Sequence, residues 1–80
     1  MKLEEIRSMK SKELHEELER LRRHLFDLRS QAVTEKLEDP NQITKARKDI
    51  ARLLTVLKQR GEENIEQTQA HLTAEAARNR

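Results

Sequence analysis

Lys45, Arg47, Lys48 and Arg52 lie close together in a stretch whose single acid is Asp49. Residues 40 to 60 carry a net charge of +5, against +1 for residues 1 to 10 and −2 for each of the segments 11 to 39 and 61 to 80. Attraction to a polyanion depends on where charges cluster more than on their total, so the overall +2 is less informative than this local excess. If Ile43, Ile50 and Leu57 point inward from a helix, Lys45, Lys48 and Arg52 project from its opposite face with Arg47 at the flank. That spacing makes a stripe able to face phosphates. A solvated face kept basic for solubility is the common alternative for any charge run, but the scarcity of acids here favours a nucleic acid. A second stripe, Arg22, Phe26, Arg29 and Val33, mixes cations with the only aromatic residue of the chain. Two readings of it stand side by side. Either Phe26 and Val33 widen an apolar seam, or Arg22 and Arg29 reach an anionic partner while Phe26 packs beside it.

Other chemistry finds little support. His15, His24 and His71 lack the i, i+4 pairing and acidic orienting neighbours that a helical metal site needs, and they read as surface residues. The carboxylates are interspersed with Arg and Lys on amphipathic segments, with no pocket to shift a pKa for acid–base work. No glycine-rich phosphate loop or nucleophile elbow is present, and there is no cysteine. Neither an enzyme, a cofactor nor a bound metal is expected.

The elements that must carry the cations are helical. From about Ser11, Leu14, Leu18, Leu21, Leu25, Leu28 and Ala32 alternate by four and three, the signature of a long helix with one apolar seam. It is expected to end between Thr34 and Glu38. Asp39-Pro40-Asn41-Gln42 then reads as a helix start, with Asp39 as N-cap, Pro40 at the first helical position and Gln42 placed for a capping box. The second, basic helix runs from about Pro40, draws its seam from Ile43, Ala46, Ile50, Leu53 and Leu57, and stops at Gly61. So short a connection makes the two helices antiparallel neighbours. Leu3, Ile6 and Met9 suggest one or two short helical turns before Ser8 or Ser11 caps the longer helix. After Gly61 the pattern weakens, and residues 61 to 80 read as a polar, mobile tail, or as a continuation of the basic helix through Gly61. The expected fold is all-α: an antiparallel two-helix hairpin with a short N-terminal helix, in a domain of residues 1 to 60 followed by the tail. With 40% charged residues the core must be thin, which implies an elongated shape.

The order of motifs from Leu25 to Arg60 resembles the core of the bacterial large-subunit ribosomal protein 29 family. Leu25-Phe26-Asp27-Leu28-Arg29-Ser30-Gln31 matches an LFxLRxQ element, and Arg47-Lys48-Asp49-Ile50-Ala51-Arg52 matches an RRDIAR-like element. Met1 to Arg7 and the leucine-rich helix fit more loosely, so the likeness covers about residues 1 to 60. The resemblance implies a non-catalytic, structural constituent of the large ribosomal subunit, bound to its rRNA near the exit of the peptide tunnel. It implies ribosomal protein 23 as a neighbour, and nascent-chain factors such as signal recognition particle or trigger factor nearby. Carried over by position, it points to Arg29, Gln31, Arg47, Lys48 and Arg52 as RNA contacts. The chain departs from the family at Glu35, where a glycine is usual, at Lys48, where arginine is common, and in the length of its tail.

No apolar run is long enough to span a membrane, and the N-terminus lacks the apolar core of a secretory signal, so a cytoplasmic location is expected. A basic helix lying on an acidic membrane is disfavoured by the acidic polar face of the leucine-rich helix. The rival from another class is a small coiled-coil adaptor that self-associates, or pairs with a partner helix, through the leucine seam.

Overall fold

The structure, a computed structural model, describes residues 2–78. Four helices follow in order, α1 Leu3–Ser8, α2 Ser11–Val33, α3 Asn41–Gln59 and α4 Ile65–Arg78, with no strand among the described residues. The molecule measures 39 × 32 × 17 Å, a slab less elongated than expected, because α1 and α4 flank the central pair. Helix α2 packs against α3 and α4, and α1 packs against α3.

The seam residues Leu14, Leu18, Leu21, Leu28, Ala46, Leu53 and Leu57 are buried. The main core joins Leu14, Leu18 and Leu21 from the first two-thirds of α2 to Leu53, Val56 and Leu57 from the second half of α3, as expected when α3 runs back along α2. Ile6 of α1 and Ile65 of α4 complete this cluster, and Met9, Ile50 and Leu54 pack against it. Each fully enclosed aliphatic side chain contributes roughly 1.5–3 kcal/mol, so the end of the hairpin where α1 and α4 arrive carries most of the apolar stabilisation. Arg60 strengthens that end by donating to the Arg7 carbonyl at 3.0 Å and to Ser11 Oγ at 3.2 Å. Ser11 is thus the first helical residue of α2 and binds Arg60, rather than serving as a cap.

The helix ends carry the turn chemistry. Asp39 Oδ1 accepts from the Asn41 N–H at 3.0 Å, and Pro40 already has helical dihedrals, so Asp39 and Pro40 act as cap and first-turn residue. No bond from the Gln42 side chain back to Asp39 forms among the described residues, which leaves the capping box half made. Both long helices end in the same motif. At α3, the Gly61 N–H reaches the Lys58 carbonyl and the Glu62 N–H reaches the Leu57 carbonyl, with Gly61 at φ +83°. At α2, the Glu35 N–H reaches the Ala32 carbonyl and the Lys36 N–H reaches the Gln31 carbonyl, with Glu35 at φ +60°. Helix α2 ends at Val33, one residue before the expected window, and Glu35 takes the left-handed position without being glycine.

The segment expected as a mobile tail forms α4 over residues 65–78, and its last two residues lie outside those described. The physical reason is a mixed polar and apolar attachment to α2. Ile65 is buried, Gln69 Nε2 donates to the His15 carbonyl at 2.8 Å, and Arg22 forms a bidentate pair with Glu66 at 3.0 and 2.7 Å. The basic helix also does not continue through Gly61, because the cap there closes it. Hydrogen bonding from Arg22 holds the Glu66 carboxyl below its ordinary value of 4.5, against the opposing push of desolvation.

Two expectations follow. Glu35→Gly should stabilise the chain by about 1 kcal/mol and Gly61→Ala should destabilise it by about as much, since the added Cβ at Gly61 meets nothing within 4 Å and only the backbone conformation is taxed. Denaturant midpoints with unchanged slopes would report both, and a neutral Gly61→Ala would contradict the cap. For Glu66, a depressed native pKa means that its pairing is fully present above the ordinary carboxylate value of 4.5 and is lost as pH falls through the native value. An NMR titration should place the Glu66 midpoint below 4.5 and move it upward in Arg22→Ala, whereas an unshifted wild-type midpoint would contradict the pair.

Candidate nucleic-acid interface

Because the core stripe of α3 is buried, the helical turn of about 100° per residue sends Lys48 and Arg52 to its far side, with Arg47 and Lys45 towards the flanks. All four side chains are exposed. Thr44, Arg47, Lys48 and Ala51 line a shallow depression on this surface. The short side chains at Thr44 and Ala51 leave the helix surface open between the longer Arg47 and Lys48. Arg52 Nη1 donates to Asp49 Oδ1 at 3.1 Å, a pairing one turn apart on α3. An exposed pair of this kind is weak, and a guanidinium has five N–H donors, so Arg52 keeps donor capacity beyond this pair.

At the other side of the connecting segment, Arg29 and Gln31 are exposed near the end of α2. Phe26 and Val33 are 71% and 84% exposed, so they lie outside the seam rather than widening it. Arg29, Gln31, Lys45, Arg47 and Lys48 therefore belong to the half of the hairpin nearest its turn, away from the main core. Glu35, Glu38 and Asp39 sit on the connection itself. Their negative charge sets the connection apart from the basic surface of α3.

Arg22 stands apart from the other six candidates. It lies further back on α2, and both of its terminal nitrogens are engaged by Glu66. It borders an open groove between α2 and α4, together with Arg20, Arg23, His24, Phe26 and Glu66. Arg20 and Arg23 pair along their own helix with Glu17 and Glu19. Among the described residues, Arg22 is the α2 cation paired with α4 across the fold.

One histidine departs from the surface position that its sequence suggests. His24 and His71 are exposed, the latter 2.9 Å from Glu75, but His15 is 6% exposed, with Glu62 at 3.5 Å from its Nε2. Glu19 and Gln69 are buried with it. Their signal is present in outline: the stripe through Phe26 and Arg22 extends backwards through Glu19 to His15 at the same alternation of four and three. Its partner, Ile65, Gln69 and Leu72, is centred on a polar residue and therefore escapes a search for apolar seams. No group of three potential metal-ligating side chains converges among the described residues.

A family model described as Ribosomal L29 protein matches residues 4–60. The large ribosomal subunit protein uL29 of Caldicellulosiruptor bescii is 42% identical over 71 residues, covering 89% of this chain and 94% of that protein. Its counterpart in Caldicellulosiruptor saccharolyticus is 42% identical over 74 residues, covering 92% and 99%, so that likeness runs into α4. The uL29 of Alkaliphilus metalliredigens is 48% identical over 59 residues, covering 74% and 88%. No solved structure matches the chain. With an all-helical fold, the match over residues 4–60 and these near full-length likenesses, the chain belongs to the Ribosomal L29 protein family.

Proposed function

We propose that this protein is a structural constituent of the large ribosomal subunit in the cytoplasm, held to rRNA by Arg29, Gln31, Lys45, Arg47, Lys48 and Arg52. The observation that carries the reading is the α3 surface, where four cations stand exposed on the far side and flanks of a helix with a buried stripe, and two of them border a depression shared with short side chains. An A-form helix hides its base edges in a deep groove, so a basic helix with one aromatic in the whole chain reads phosphates and shape rather than sequence. The work is positional and electrostatic. No step of chemistry is required of it, and as a member of this family it is a structural protein rather than an enzyme.

The finer placement follows the family resemblance: near the exit of the peptide tunnel, beside ribosomal protein 23, and within reach of signal recognition particle or trigger factor. Phe26 and Val33 support a protein neighbour on α2, since they present apolar surface that this chain leaves uncovered. The coiled-coil adaptor is disfavoured by the burial of Leu14, Leu18, Leu21 and Leu28 within the chain, which leaves little of that seam for a second helix.

Arg47→Ala combined with Arg52→Ala should weaken binding to large-subunit rRNA and flatten its salt dependence by about one unit of slope for each phosphate no longer neutralised. Fluorescence anisotropy across a salt series measures both. An unchanged slope in a folded variant would remove these two arginines from the interface.

A further inference from the structure

The attachment of α4 is more polar than that of the other helices. Among its described side chains, Ile65 and Gln69 are buried and Thr68 and Leu72 are half-buried. Polar contacts add to this hold: the Arg22–Glu66 pair, Gln69 Nε2 bonded to the His15 carbonyl and 3.5 Å from its Nδ1, and, from the preceding segment, Glu62 beside the His15 ring. This interface also leaves Glu19 Oε1 and Gln69 Oε1 buried without a hydrogen-bond partner. Neither oxygen accepts a hydrogen bond from within the chain, so undocking α4 would open both fully to water. The segment between Gly61 and Asn64 joins α4 to α3, and the bonds of the Gly61 cap all run to α3. With Ile65 kept in the core, the rest of α4 can therefore leave α2 without opening the end of α3.

The group that α4 brings to Arg22 is chemically telling. A carboxylate taking two parallel N–H bonds from a guanidinium occupies the geometry that a phosphate would also take. It does so in a groove bordered by Arg20, Arg23, His24 and Phe26. The Glu66 side chain is 75% exposed, so the pair is open to competition from a polyanion. Resting on the rRNA-binding reading above, we infer that α4 is an intramolecular competitor: Glu66 occupies Arg22 in the free chain, and a phosphate of the RNA displaces it, releasing α4 from α2. In the free state this guards the stripe of Arg22 and Phe26 against casual polyanions. On the RNA it adds Arg22 to the contacts made by α3.

The test uses the full chain and a bacterial large-subunit rRNA transcript, with Glu66→Gln, Arg22→Ala and the double variant measured by anisotropy. Glu66→Gln should tighten binding about two- to fivefold, the range expected for relief from one exposed ion pair. In the Arg22→Ala background the same change should have no effect. Hydrogen exchange supplies a second readout, in which the amides of α4 should lose protection when RNA is added to the wild type. Binding no tighter in Glu66→Gln, equal tightening in both backgrounds, or unchanged exchange in α4 would overturn the competitor while leaving the α3 interface intact. Loss of any dependence on Arg47 and Arg52 would instead overturn the RNA reading, and the competitor with it.

Discussion

A seam between two helices can bury only one side of each, and that constraint shapes the whole chain. Leu14, Leu18, Leu53 and Leu57 are fully enclosed, in a cluster that also takes Ile6 from α1 and Ile65 from α4. Two short flanking helices thus supply the burial that a bare hairpin lacks, and Arg60 binds one of them at the same end. Towards the turn the hairpin thins, with Leu28 and Ala46 buried while Leu25, Leu37 and Ile43 are only half covered. Packing and charge are consequently divided along its length, with most of the core at one end and most of the candidate RNA contacts towards the other. A cation far from the core loses little solvation in the free protein and stays available to a phosphate.

The same division bears on the local strain at Glu35. A left-handed residue other than glycine costs about 1 kcal/mol, yet the cap it makes satisfies the last carbonyls of α2 and turns the chain towards Asp39. Stability at the turn is given up without disturbing the distant core.

Much of this is legible in the sequence because its causes are local. The alternation of leucines by four and three, the Asp39-Pro40 start and the Gly61 stop each follow from backbone geometry and helical periodicity. The exposure of Lys45, Arg47, Lys48 and Arg52 follows from the stripe opposite them. What escapes is tertiary and polar. His15, Glu19 and Gln69 are buried by one another's elements, and no hydrophobicity pattern marks a helix centred on glutamine. Arg22 looks like its neighbour Arg29 in sequence because its partner, Glu66, stands on a segment whose own pattern is too polar to mark it as a packed helix. Phe26 and Val33 allow two readings, and only the observed packing of α2 against α3 and α4 leaves them outside.

The most direct test of the central claim is sucrose-gradient sedimentation of the tagged full chain in its own host, alongside a variant with Lys45, Arg47, Lys48 and Arg52 all changed to alanine. The wild type should travel with the large subunit and stay there through a moderate salt wash, while the variant, folded by circular dichroism, should be released to the top of the gradient at lower salt. Wild-type protein found at the top from the outset, or a variant retained as firmly as the wild type, would contradict the assignment of this basic face as the grip on rRNA.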